Sequence, residues 1–213
     1  MANGTQPRQE PRWSRRKEAR PEEILSAALE LFAERGYAAT RLEDVAARAG
    51  VSKGTLYLYF ANKEELFKAV VRNGLVSPVV AMKGALEQFK GGTFDLLRML
   101  VCGWWERIGS TRLASIPKLI FAESGNFPEI TRFYVAEVLE PGHDMIAAIV
   151  KRGIARGEFR AVDPDEMARL IAAPFVMMMM WRSSLAQHSK HEIDPNSYLA
   201  AHLDMLEHAL RAE

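Results

Sequence analysis

The apolar positions of this chain recur at helical spacing almost throughout, and no segment alternates as a half-buried strand would. From Glu22, the residues Ile24, Leu25, Ala28, Leu31 and Phe32 return every three or four positions and stop at Gly36. Thr40 and Glu43 have the spacing of a capping box, opening a short helix through Ala49 that Gly50 closes. Ser52 is placed to cap a second short helix ending at Phe60. Asn62 with Glu65 repeats the capping arrangement before a longer helix carrying Leu66, Phe67 and Val70. Further helices are expected at about 93–108, at 111–123, and from "SGNFPE" to about Arg156 with a break at Pro141-Gly142. Two more follow, from Asp163 or Pro164 to Gln187 and at about 197–211. The pattern predicts an all-α fold of about nine helices. Residues 1–20 read as a flexible basic arm and 21–67 as a three-helix unit with a helix-turn-helix at about 41–60. Residues 68–213 read as a larger helical domain.

The segment "AGVSKGTLYLYF", residues 49–60, is unlike a helix built to fill a core. With Leu56 and Phe60 turned inward, Lys53, Gly54 and Tyr57 share one outward face, and Thr55 and Tyr59 another. A DNA duplex asks for these features. A small residue lets backbone approach a phosphate, hydroxyl and phenol groups anchor phosphate oxygens, and a lysine at the helix start can reach base edges. Lys63, just past the turn, can add a phosphate contact. Net charge is only +1, but the basic excess sits with this unit: 13 Lys and Arg against 10 Asp and Glu in residues 1–75, 15 against 17 thereafter.

Residues 24–67, "ILSAALELFAERGYAATRLEDVAARAGVSKGTLYLYFANKEELF", resemble the DNA-binding domain of the tetracycline-repressor (TetR) family. "ESGNFPEI" and "RGIARGEFR" are similar to segments of its multidrug-regulator-like members. The resemblance implies a homodimer placing two recognition helices in successive major grooves of a palindromic operator. It also implies a repressor released from DNA by a small ligand in the second domain. Carried over by position, the DNA contacts are Arg41, Lys53, Gly54, Thr55, Tyr57, Tyr59 and Lys63.

The second domain is rich in aromatic and methionine side chains. An apolar pocket is expected from Trp104, Phe121, Phe133, Met177, Met178 and Trp181, with core packing as the competing use of each. The last two helices are expected to form the dimer, Leu199, Leu203, Leu206 and Leu210 giving the final one an apolar stripe. No phosphate loop, nucleophile elbow or His–carboxylate set points to catalysis, so an all-α enzyme has little support. A regulator that binds DNA without a ligand is the stronger alternative. His188 and His191 could form a metal pair only with more ligands nearby, so neither a metal nor a cofactor is expected. A single cysteine, Cys102, no leader-like start and no membrane-length apolar run point to the cytoplasm.

Overall fold

The computed structural model describes residues 12–212, with side chains from Pro21 onward except those of Met82 and residues 85–87. Nine continuous helical rods make up the described residues, and no strand is found among them. They are α1 (Arg12–Ala39), α2 (Leu42–Arg48), α3 (Lys53–Tyr59), α4 (63–87), α5 (93–109), α6 (112–123), α7 (128–155), α8 (164–188) and α9 (Pro195–Leu210). The expected all-α architecture is therefore observed. The arm is a partial correction: Arg12 to Arg20 continue α1 as helix, while residues 1–11 lie outside the described residues.

Of the stripe that periodicity predicts, α1 buries Ile24, Ala28, Leu31 and Phe32; Leu25 is half-buried, and Ala27 joins the core instead. Its regular path ends at Gly36, whose backbone at φ 81° and ψ 170° lies in a region open essentially to glycine alone. The break turns Tyr37 inward, to 4 % exposure. There Tyr37 meets Phe67 of α4 and Phe127 before α7, with ring centroids 5.4 and 4.8 Å apart and both contacts edge-to-face. Phe32 completes the cluster, 5.4 Å from Phe67.

The expected capping box at Thr40 is not formed. Arg41 is the N-cap of α2, with no side-chain cap bond. Thr40 is instead 2 % exposed, and its hydroxyl faces the carbonyls of Gly36 at 2.7 Å and Leu31 at 3.2 Å. Once Gly36 interrupts α1, its carbonyl needs a donor more than the first turn of α2 needs an acceptor. The other two caps are as expected: Ser52 Oγ accepts from the Thr55 amide at 3.0 Å, and Asn62 Oδ1 from that of Glu65 at 2.8 Å.

α4 joins the three-helix unit to the remaining helices. It contains one π turn, Arg72–Val76, centred on Gly74. A Cβ built on Gly74 would lie 2.3 Å from Leu113 Cδ2, so the glycine is a notch that α6 fills. In the second half, α9 is tied to α8 through buried His202, whose Nε2 bonds the Ile171 carbonyl at 3.2 Å. Burial pulls the His202 pKa down, which keeps the ring neutral and Nε2–H the donor. Leu199, Leu203, Leu206 and Leu210 are all buried against the chain's own core. Their expected use as an outward dimer stripe is thus replaced. The outward large apolar residues of α8 and α9 are Leu170, Met177, Leu185 and Met205.

Replacing Gly36 by Ala should destabilise the protein by about 1–3 kcal/mol, because a Cβ is strained in that backbone region. Urea denaturation of the variant checks this; an unchanged midpoint would mean that the break tolerates a side chain.

Candidate nucleic-acid interface

α2, the tight turn at Gly50 (φ 66°) and α3 form a helix-turn-helix. Leu56 (0 % exposed) and Phe60 anchor α3 to the unit. Helical geometry of about 100° per residue then sends Leu58, two positions from each anchor, to the opposite side, with Tyr57 and Tyr59 on its flanks. Tyr57 and Tyr59 are accordingly exposed, and Leu58 is 83 % exposed, the most open large apolar side chain among the described residues. Leu58 was not among the expected contact residues. The same phase argument that turned the tyrosines outward identifies it, but its apolar character suggested a core role.

Lys53 and Gly54 open α3 on the outer surface, and Arg41 is exposed before α2. A Cβ on Gly54 would meet only Ser52 Oγ, at 3.8 Å, so nothing inside the fold requires glycine there. Thr55 is half-buried, and its hydroxyl lies 2.8 Å from Ser52 Oγ. Lys53 Nζ pairs with Glu43 of α2 at 2.6 Å and sits 5.8 Å from the Tyr57 ring centroid. The mutual hydrogen bond holds the Glu43 carboxyl below its usual range and raises the Lys53 ammonium. Both groups are exposed, so this pair positions the lysine and adds little to stability.

Lys63 is used differently. Its ammonium donates to the carbonyls of Tyr37 at 2.8 Å and Ala38 at 3.0 Å, and lies 4.6 Å from the Tyr37 ring centroid. Partial burial lowers its pKa. The lysine expected at a phosphate thus seals the broken end of α1, where its ammonium donates to the carbonyls of Tyr37, which also accepts from the Thr40 amide, and Ala38.

The same corner meets the second half of the chain. Glu123 at the end of α6 accepts from the Ala38 amide at 3.1 Å. Arg112 of α6 pairs with Glu30 of α1. Arg48 of α2 joins Glu30 and Glu34 at 3.1 Å each, which lowers the Glu34 pKa.

The residues expected to form a pocket are not brought together. Phe121 and Met177 are exposed, at 64 % and 58 %, while Met178 is in the core. Trp104 packs on Phe175, with centroids 6.0 Å apart. Phe133 lies under the Arg72 guanidinium at 4.8 Å, and Trp181 is half-buried at the start of a π turn. Consecutive helical positions cannot share one face, and cations and aromatics of neighbouring helices had already claimed the others. The larger hollows lie along α4 instead. One of about 540 Å³ includes Leu25, Gly74, Arg112 and Leu113 in its walls, and one of about 890 Å³ lies between α4 and α7.

Comparison with known proteins agrees with this geometry. The sequence model of bacterial regulatory proteins of the tetR family matches residues 24–70, and that of the tetracyclin repressor-like C-terminal domain matches residues 91–189. Together they span most of the chain. The fatty acid metabolism regulator protein of Bacillus subtilis is 28% identical over 147 residues, which is 68% of this chain and 74% of that protein. The regulator RutR of Escherichia coli is 45% identical over 76 residues, 36% of each chain. The crystal structure of the Bacillus subtilis transcriptional regulator FadR in complex with stearoyl-CoA superposes with a TM-score of 0.74 at 22% identity. That match covers 88% of this chain and 98% of that one. Matches to both family models, with a helix-turn-helix whose α3 faces outward, identify a DNA-binding transcriptional regulator. The chain belongs to the tetR family.

Replacing Lys63 by Met should cost about 1–2 kcal/mol through two lost charge-assisted bonds, a modest value because the site is partly open to water. Lys53→Met should leave the melting temperature nearly unchanged. Thermal melts of the two variants make the comparison; equal effects would refute the assigned difference between the lysines.

Proposed function

We propose that the chain is a ligand-responsive repressor that binds a palindromic operator as a homodimer. Residues 21–67 act as the reading head and 68–213 as the effector and dimer domain, released from DNA by a small molecule. The observation that carries the reading is the outer face of α3. Lys53, Tyr57, Leu58 and Tyr59 stand exposed on a rigidly anchored helix, beside a glycine that the fold itself does not need. In the major groove, Gly54 would allow close backbone approach, and Tyr57 and Tyr59 would hold phosphates. Leu58 would meet thymine methyl groups, which are read by apolar contact. Lys53 must exchange Glu43 for the duplex, so Glu43 acts as a place-holder that keeps the ammonium oriented. Arg41 and Thr55 flank this face. Lys63 contributes chiefly by fixing the head.

Pairing through α8 and α9 is supported by the outward Leu170, Met177 and Met205, which a second copy would cover. Ligand control is supported by the stearoyl-CoA held in the FadR structure and by the contacts that bind the head to the body. Leu113 in the Gly74 notch, Glu123 on the Ala38 amide and Arg112 on Glu30 all run from α6 to the reading head or its connecting helix. A ligand acts through its unequal affinity for the two arrangements of this junction.

Selection of bound duplexes from a random pool by the full chain should enrich an inverted repeat, with half-site centres about 34–36 Å apart or a multiple of that. Tyr57→Ala should weaken binding to every sequence, and Leu58→Ala should relax preference at one base pair by about 1–3 kcal/mol. Enrichment of an unsymmetrical site, or of none, would sink the proposal.

A second prediction concerns the notch. Gly74→Ala should push the flexible end of Leu113 aside at little net cost, because alanine gains about 0.5–1 kcal/mol over glycine inside a helix, and weaken operator binding. Adding Leu113→Ala should restore operator affinity, because the two changes share one contact. Operator titrations of the single and double variants measure this, and strictly additive effects would exclude the coupling.

A further inference from the structure

Three hollows adjoin one another along α4. The largest, about 890 Å³, is walled by Val79, Val80, Phe89, Leu96, Met145 and Ile149 on its apolar side. A narrow hollow shares Val79 and Met145 with it and includes Trp104 and Arg107. Arg107 and Pro78 also wall the third, the hollow at the Gly74–Leu113 junction. The large cleft therefore lies in line with the contacts that tie the reading head to the body.

Its charge is one-sided. Among its described lining residues, Lys83, Lys90, Arg152 and Arg156 are cationic, and Asp144 is acidic. Along α7 the lining positions Pro141, Met145, Ala148, Arg152 and Arg156 form one stripe. At about 1.5 Å rise per residue it is roughly 22 Å long. Arg152 donates to the Gly91 carbonyl at 2.9 Å, which brings the far end of the stripe to Lys90. Arg156 pairs with Glu158, yet each guanidinium carries further donors. At the opposite end, Met145 faces Val79, and Asp144 would repel an anion. The cleft thus has a long apolar wall, Lys90, Arg152 and Arg156 at one end, Asp144 at the other and Lys83 between them.

We propose that this cleft binds an amphiphile with an acidic head, its carboxylate or phosphate at Lys90, Arg152 and Arg156 and its chain along Ile149 and Met145 toward Val79. The site rests on the reading of the chain as ligand-responsive, and it differs from the pocket that composition suggested. A neutral oily molecule would leave Lys90 and the remaining donors of Arg152 and Arg156 to water, and a cationic one would be repelled. Charge complementarity thus selects the class of ligand, and the apolar wall supplies most of the contact area.

The test is calorimetric titration of the full chain with dodecanoate, dodecyl phosphate, dodecanol and dodecyltrimethylammonium, each kept below its micelle concentration. The two acids should bind at least about tenfold tighter than the other two, and less tightly as salt is raised. The tighter acid identifies the head as carboxylate or phosphate. The Lys83→Glu/Lys90→Glu double variant, at exposed positions, should keep its melting temperature and lose about tenfold or more of acid binding. Equal binding of all four compounds, preference for the alcohol or the ammonium, binding of none, or an undiminished double variant would each overturn the proposal. Operator affinity is measured separately with each compound. Acid-selective binding that leaves operator affinity unchanged would keep the site and remove the release reading. Release by the alcohol without acid selectivity would do the reverse.

Discussion

The seating of Tyr37 is the constraint on which the reading head depends. Gly36 can take a backbone conformation that ends α1 and drops the next side chain into the space between α1, α4 and Phe127. Edge-to-face aromatic pairs of this kind add about 0.5–1.5 kcal/mol each beyond their buried area. The break also frees carbonyls, and two side chains answer them: Thr40 from within and Lys63 from the start of α4. With that corner closed, α2 and α3 have a fixed base, and the outer face of α3 keeps one orientation.

The corner is also where the two halves of the chain meet. Phe127, Glu123 and Arg112 all reach it from the second half, while α4 runs out of it into the body. Buried aromatic contact gives the joint rigidity. The exposed ion pairs around it are weak and add direction more than strength.

Two lysines ten residues apart show how the unit divides its labour. Lys53 is exposed and held by one exposed carboxylate, so its partner can be exchanged. Lys63 is half-buried on two carbonyls and an aromatic face, and moving it would reopen the corner. Identical chemistry thus serves a surface contact in one case and the fold in the other.

Periodicity and caps by themselves determined the helices, the turn at Gly50 and the outward phase of α3. Each of these depends on residues a few positions apart, and short-range geometry is written directly in the sequence. Leu56 and Phe60 were enough to place Tyr57 and Tyr59, and also Leu58, outside. Competition between distant groups for the same partner was settled only by tertiary structure. Thr40 left its local cap for the carbonyls of α1, and Lys63 did the same from more than twenty residues away. Leu199 to Leu210 went to the chain's own core instead of to a second copy. The aromatics and methionines gathered as pocket residues dispersed over several faces, and the large cleft opened where α4 and α7 leave a gap. A cavity is where packing fails to fill space, and no local pattern of residues encodes that.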